Sequence, residues 1–280
     1  TNSPLLAFSM IDLHCHMLPG IDDGARDLDI ALQMAELAVA DGITMTACTP
    51  HIYPGLFENT HEGIRQAVAS FKEELKKADI PLEITYGADI QVVPELVQSL
   101  ADGTLPRLHN SRYFLFEPPH HVSLPRMPDL IHNALLSGYV PVITHPERLT
   151  YIEDDYEKFV DAAHAGAWIQ LTGGSLLGRF GPRVKKITER FLEDGVTHLL
   201  ASDGHNLKNR TPELREARDA AAAIVGEEEA DRLVQERPAA VIANSEPGQV
   251  TPIPSLNPHA VPLKPNKGKQ KSWLGRLLGS

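Results

Sequence analysis

Cysteine is scarce: the 280-residue chain has two, Cys15 and Cys48, and no CxxC pair. That excludes a disulfide-framed fold and a thiolate zinc knuckle, and it fits a reducing cytoplasm. Long hydrophobic runs are missing too. No stretch approaches the ~20 apolar residues of a membrane span, and the opening TNSPLLAFSM has neither the basic start nor the apolar length of a secretory signal. The expectation is a soluble, cytoplasmic protein, with Met10 as its natural start and residues 1–9 an N-terminal extension. Positive charge is short as well, 26 Lys and Arg against 37 Asp and Glu, for a net charge of −11. Phosphate backbones are gripped by clustered cations, so nucleic acid is not an expected partner.

What is present is enough apolar material, 42% of residues, for one sizeable core. Short apolar or β-branched runs alternate with longer helical patterns, the sign of βα units and a parallel sheet. Seven strands are expected, at 10–14, 43–48, 82–87, 113–117, 140–144, 167–171 and 197–201. Between the first two, Leu28, Ala31, Leu32, Ala35, Ala38 and Val39 share one helical face, with Asp27 placed to cap it and Gly42 to end it. Further helices are expected near 59–78, 127–137, 155–165, 182–194 and 211–224. Seven repeats predict an α/β fold, a distorted (β/α)7 barrel, with an open doubly wound sheet as the alternative.

The character changes after Asn244. Residues 246–280 are rich in proline and lysine and lack any period, so the main domain is expected to span 10–245 and a mobile linker to follow. Trp273, Leu274, Leu277 and Leu278 would share one side of a short terminal helix behind Lys264, Lys267, Lys269 and Lys271. The plainer reading is a solvated tail with a sticky end; the sharper one is a docking element for a partner or an anionic membrane surface.

Chemistry-bearing residues gather at the carboxyl ends of the expected strands. His14 and His16 leave strand one two residues apart, so their imidazoles point the same way. Asp22 and Asp23 follow in a loop. His51 comes after strand two, Asp89 after strand three, Glu117 at the end of strand four, His145 after strand five, and Asp203 and His205 after strand seven. A lone histidine is more often structural than a ligand, but in a parallel barrel all these ends open on one face, where barrel enzymes place their chemistry.

Imidazole and carboxylate without thiolate suit manganese, iron or zinc. Five histidines and four carboxylates (Asp23, Asp89, Glu117, Asp203) are enough for three divalent ions at about three ligands each. Such a site would carry a charge of about +2, attract a phosphate dianion, and lower the pKa of coordinated water toward ~7. Arg148, in HPER, and Arg210, in HNLKNR, are placed to clamp phosphoryl oxygens. A glycine-rich stretch, Gly173-Gly174-Ser175 and the following GRFG, is a weaker signal for amides that approach substrate. A cysteine nucleophile is excluded, because the position six residues on, where such phosphatases need arginine, is Ile21 after Cys15 and Pro54 after Cys48.

The ordered set MIDLHCHMLPGIDDGA, CTPH, YGAD, LFEP, THPER, QLTGGSLLGRFG and ASDGHNLKNRTP resembles the polymerase-and-histidinol-phosphatase (PHP) family. The likeness is to its bacterial protein-tyrosine phosphatases encoded with capsule and exopolysaccharide genes, and it covers about residues 10–238. The resemblance implies a seven-stranded barrel with a trinuclear, usually manganese-supported site. It also implies phosphotyrosine on a membrane-associated bacterial tyrosine kinase as substrate. The ligands would be His14, His16, Asp23, His51, Asp89, Glu117, His145, Asp203 and His205, with Arg148 and Arg210 on phosphate and Asp23 close to the chemistry. The family usually has glutamate where this chain has Asp89, which shortens one ligand by a methylene. A small-molecule phosphatase, such as one for histidinol phosphate, is the enzymatic alternative. A scaffold that docks a kinase is the non-enzymatic one.

Overall fold

A computed structural model describes residues 9–258 of the protein. The lysines and the apolar residues of the expected terminal helix lie outside the described residues, as do residues 1–8. Nine strands are present among the described residues: β1 Met10–Cys15, β2 Ile43–Cys48, β3 His51–Ile52, β4 Glu83–Tyr86, β5 Asp89–Gln91, β6 Tyr113–Glu117, β7 Val140–Thr144, β8 Trp168–Thr172 and β9 Leu199–Ala201. The helices are α1 Leu28–Asp41, α2 His61–Lys77, α3 Leu96–Ala101, α4 Met127–Leu136, α5 Ile152–Ala165, α6 Gly173–Leu176, α7 Pro182–Glu193, α8 Arg215–Val225, α9 Glu227–Asp231 and α10 Arg237–Ile242. Every strand pair is parallel.

The strands form two sheets, β1-β2-β4 and β3-β5-β6-β7-β8-β9. The expectation of a single closed barrel is therefore not met by the hydrogen bonding. The reason is local. Pro50, which has no N–H to donate, interrupts the chain between β2 and β3, and Gly87-Ala88 interrupts it between β4 and β5. Bonds persist across both breaks, from Gly87 N–H to Cys48 O and from Asp89 N–H to Pro50 O, each 3.1 Å. Strand order follows chain order without reversal, unlike the switch point of a doubly wound sheet.

The six longer helices form where the periodicity placed them, whereas the short α3, α6, α9 and α10 were not expected. Asp27 accepts the Ile30 N–H at 3.0 Å and Gly42 closes α1 at φ 97°, a cap worth about 1 kcal/mol. Ala31, Met34, Ala35 and Ala38 are its buried face. β6, β7 and β8 are buried at every position, which explains why YFLFE, VPVIT and WIQLT read as nearly continuous apolar runs.

Two apolar clusters divide the strands by parity. Leu13, Ala47, Tyr113, Leu115, Val142, Trp168 and Leu199, drawn from both sheets, pack together on one side. Phe114, Phe116, Ile143, Ile169 and Leu171 pack on the other, against the helices. With a period of two, Glu117 continues the face of Tyr113 and Leu115, so the chemistry sits at the carboxyl end of the strand-lined cluster. A register shift in β1 between Asp12 and Cys15 lets Leu13 join that cluster while Cys15 packs on the helix side.

The segment after Asn244 differs from the extended linker expected. Its described part turns twice, at Pro247–Gln249 and Pro254–Leu256, and buries Ile253. Buried Arg237 explains the attachment, because its guanidinium donates to the carbonyls of Thr251 and Pro252 and pairs with Glu229 at 2.7 Å.

Candidate metal centre

His14 lies near the end of β1 and His16 directly after it, and both are fully buried. Each imidazole is aimed by a partner on its outer nitrogen. His14 Nδ1 donates to Gln170 Oε1 at 2.8 Å, and the Gln170 amide is itself fixed by its bond to Leu171 O. His16 Nδ1 donates to Asp22 Oδ2 at 2.7 Å, and His205 Nδ1 to Asp203 O at 2.9 Å. In all three rings Nδ1 is engaged and Nε2 faces the interior, the arrangement that presents a deprotonated histidine to a metal. Gly24 permits the tight return of the first loop, because a Cβ there would lie 2.0 Å from His16 O.

β3 and β5, the two short strands beyond the breaks, carry His51 and Asp89 in direct register, and Gln91 of β5 stands opposite Glu117 of β6. Asp89 Oδ2 lies 3.4 Å from His14 Nε2, 3.6 Å from His51 Nδ1 and 3.5 Å from His145 Nε2. The shorter acid therefore still reaches three imidazoles. His51 Nδ1 is 3.4 Å from Glu117 Oε2, and its Nε2 is 3.6 Å from Asp23 Oδ1. Asp23 Oδ1 is also 3.4 Å from His205 Nε2.

His145 and Asp203 both adopt left-handed backbone conformations, with φ of 35° and 51°. Non-glycine residues pay for that geometry with strain, and they hold it here at the ends of β7 and β9, where it turns their side chains into the cluster. The Asp203 N–H donates to His14 O at 2.8 Å, and buried Asp12 accepts the Ser202 N–H at 3.0 Å, locking the end of β9 to β1.

All nine expected ligands come together in five overlapping groups whose ligand atoms lie within 4.8 Å of one another. These are His16, Asp23, His51 and His205; His14, His16 and Asp89; His14, His145 and Asp203; His51, Asp89 and Glu117; and Glu117, His120 and His145. The site fits divalent ions on its own chemistry. Asp89 Oδ2, His145 Nδ1 and His205 Nε2 are buried without a hydrogen-bond partner. Burial opposes charge on Asp89, but His14 and the other imidazoles around it hold its carboxyl well below the usual range. Arg210 and Arg148 do the same for buried Asp203. The carboxylates are thus anionic and ready to ligate. Burial pushes both thiols up, so neither cysteine offers a thiolate.

Beside the cluster opens a cavity of about 470 Å³. Asp23, His51, Glu117, His145 and Asp203 form its floor, and Arg148 and Arg210 reach it from one side. Tyr53, Leu56, Phe57, Pro119 and Val122 supply an apolar rim. Leu56 and Val122 are each 64% exposed, an unusual state for large apolar side chains at the mouth of a charged site. Phe57 stacks on His51 at 13° between planes. The loop carrying His120 is pinned by Thr150, whose N–H and hydroxyl both donate to His120 O, and by Tyr151, whose hydroxyl donates to Pro119 O.

A family model described as capsular polysaccharide synthesis, CpsB/CapC, matches residues 10–243. The chain belongs to the CpsB/CapC family. Tyrosine-protein phosphatase YwqE of Bacillus subtilis (strain 168) is 40% identical over 210 residues, covering 74% of this chain and 82% of YwqE. Tyrosine-protein phosphatase CpsB of Streptococcus agalactiae serotype V is 29% identical over 240 residues, 84% of this chain and 99% of that protein. Among solved structures, one from a study of YwqE of B. subtilis and CpsB of Streptococcus pneumoniae, described as unique metal-dependent tyrosine phosphatases, superposes with a TM-score of 0.82. It is 33% identical and covers 92% of this chain and 100% of that one. A β-aspartyl dipeptidase from Fervidobacterium islandicum, at 15% identity and a TM-score of 0.51, shares the fold alone.

Sequence reasoning did not single out several residues that this CpsB/CapC site uses. Asp12, Gln170 and the side chain of Asp22 act through hydrogen bonds that no motif announces. Glu147 is buried beneath the HPER turn, where burial pushes its carboxyl up to about 7 and the Thr172 N–H donates to it at 2.8 Å. His120 joins the ligand groups from the loop after β6, with Nε2 3.5 Å from Glu117 Oε1. The EPPHH run of that loop was a readable signal for it.

Proposed function

We propose that this CpsB/CapC chain is a metal-dependent protein-tyrosine phosphatase. Its substrate would be phosphotyrosine on a membrane-associated bacterial tyrosine kinase that controls capsule or exopolysaccharide synthesis. The observation that carries this reading is the cavity in which a nine-residue ligand cluster, two arginines and an apolar rim meet.

His14, His16, Asp23, His51, Asp89, Glu117, His145, Asp203 and His205 would hold three divalent ions, with manganese expected and iron or zinc as alternatives. Bound there, the ions supply positive charge for the phosphoryl oxygens and lower the pKa of water toward ~7. Arg148 and Arg210 bind the phosphoryl oxygens and balance the charge that builds on them during transfer. Asp23 is half-exposed toward the cavity, where its carboxylate would accept a hydrogen bond from the attacking water and orient it. Leu56, Phe57 and Val122 receive the aromatic ring of the substrate and keep water from the leaving oxygen.

The two sheets read together as a distorted seven-stranded barrel, in which β3 and β5 continue β2 and β4. The parallel pairing of Cys15 with Gly204 beside β1 and β9 supports that closure. The catalytic unit would run from Met10 through the packed segment that ends near residue 258. A cytoplasmic location is consistent with two buried free cysteines and with the absence, among the described residues, of a helix long and apolar enough to cross a membrane.

Comparing kcat/KM of the purified protein on a phosphotyrosine peptide, a phosphoserine peptide and histidinol phosphate tests the reading. Preference for the phosphotyrosine peptide is expected from the apolar rim. Preference for histidinol phosphate would make the enzyme metabolic instead.

A further inference from the structure

Phe180 belongs to no ligand group and to no step assigned above, yet its ring meets both arginines. The guanidinium carbon of Arg148 lies 4.7 Å from the ring centre, and that of Arg210 lies 5.9 Å from it. Both fall within the ~6 Å over which an aromatic quadrupole attracts a cation. The same two guanidiniums donate to a single oxygen, Asp203 Oδ2. Two cations that share one acceptor repel each other, so a second, uncharged attachment for each holds them side by side.

We propose that Phe180 is the positioning residue of the phosphate clamp. Its ring carries the faces of Arg148 and Arg210 and leaves their N–H edges free for a phosphoryl group. The inference rests on reading the two arginines as phosphate ligands. Guanidinium donors lie in the plane of the group, so a ring against the face consumes none of them, whereas another carboxylate would.

The turn between α6 and α7 places the ring. Gly178 and Gly181, at φ 81° and 90°, bracket Arg179 and Phe180. The Arg179 N–H donates to Gly174 O at 2.9 Å, and the Gly181 N–H to Gly178 O at 3.0 Å. Arg179 Nη1 donates to Thr211 Oγ1 at 3.0 Å, tying the turn to the residue after Arg210. A Cβ on Gly174 would stand 3.3 Å from Phe180 Cε2, tighter than ordinary contact, so the second glycine of the GGS run leaves room for the ring. Phe180 is only half-buried. Core packing therefore does not account for its position, and the GRFG stretch gains a purpose other than amide contact with substrate.

The test uses the metal-loaded full chain with F180L, F180M and F180Y, the first two replacing the ring by aliphatic volume. Inhibition by inorganic phosphate, KM and kcat on a phosphotyrosine peptide, and bound metal are measured for each. F180L and F180M are expected to weaken phosphate inhibition roughly five- to thirtyfold and to raise KM more than they lower kcat, with bound metal unchanged. F180Y is expected to stay within about twofold of the wild type, since it retains the ring face. Wild-type phosphate inhibition in both aliphatic variants overturns the proposal. So does a parallel loss of bound metal in all three, which would make Phe180 a packing residue. A wild-type protein that neither hydrolyses phosphomonoesters nor binds phosphate would bring down the phosphatase reading itself, whatever the variants do.

Discussion

Arg210 donates through Nη2 to Oδ2 of Asp203 at 2.7 Å, while the other oxygen of that carboxylate faces the histidines. Asp203 Oδ1 lies 3.5 Å from ring nitrogens of His14, His16 and His205. Arg148 joins Arg210 on Oδ2. One carboxylate thus joins the ligand cluster to the proposed phosphate clamp, and its two oxygens make separable predictions.

Asp203→Asn removes the charge on both sides. It is expected to lower bound metal and to abolish measurable phosphatase activity. Arg148→Ala and Arg210→Ala should leave bound metal at the wild-type level while kcat/KM falls by about 10²- to 10³-fold each, the loss seen when one donor to transition-state charge is removed. Lysine at either position should recover little, because an ammonium has no planar fork. Metal analysis beside steady-state kinetics separates the two behaviours.

Asp22 touches the site through its neighbours. It accepts from His16 Nδ1 at 2.7 Å, from the Gly24 N–H at 3.0 Å and from the His51 N–H at 3.1 Å. Burial opposes its charge, but the His16 hydrogen bond keeps its carboxyl below the usual range. Asp22→Asn is expected to weaken metal binding by about 10- to 100-fold, as the loss of a histidine-orienting partner does elsewhere. Excess metal should restore most of the activity. Titration of the metal-free variant with manganese checks this, and an unchanged affinity would show that Asp22 does not set the His16 ring.

These two acids mark what the sequence could and could not disclose. His14, His16, His51, His145, Asp203 and His205 were readable because strand ends in a parallel α/β chain converge, so position alone predicted a meeting. The helices were readable from apolar spacing and caps such as Asp27 and Gly42. Asp23 was placed among the ligands from the sequence, but nothing there showed that its neighbour Asp22 holds the His16 ring, which only the fold reveals. β3 and β5 escaped notice because two- and three-residue strands have no period to detect. They matter because they place His51 opposite Asp89. Ile253 was hidden by the proline-rich composition around it, since burial there depends on carbonyls offered to Arg237.

The apolar rim predicts selectivity by leaving group. Leu56→Asp and Val122→Asp each place a charge where an aromatic ring would rest, and each should raise KM for a phosphotyrosine peptide about tenfold. Inhibition by inorganic phosphate, which has no ring, should change by less than about twofold. Equal effects on both would mean that the rim does not contact the leaving group.

His198 predicts a pH dependence of stability. Its ring stacks on Trp168, and its Nδ1 accepts the Ile169 N–H at 3.1 Å, which requires that nitrogen to be unprotonated. Burial and the Arg237 cation hold it well below the usual histidine range. The unfolded chain takes up a proton near pH 6.5 and the folded one does not, so this contribution is complete above ~6.5 and is lost as pH falls below it. In metal-free protein the wild-type urea midpoint should therefore drop more steeply between pH 7 and pH 5 than that of His198→Gln. Parallel curves would contradict the assignment.

The measurement that bears most directly on the central claim is hydrolysis of a phosphotyrosine peptide by the full chain before metal removal, after it, and after manganese is returned. The account predicts that activity disappears with the metal and returns with manganese. Undiminished turnover in protein shown by elemental analysis to be metal-free would contradict it.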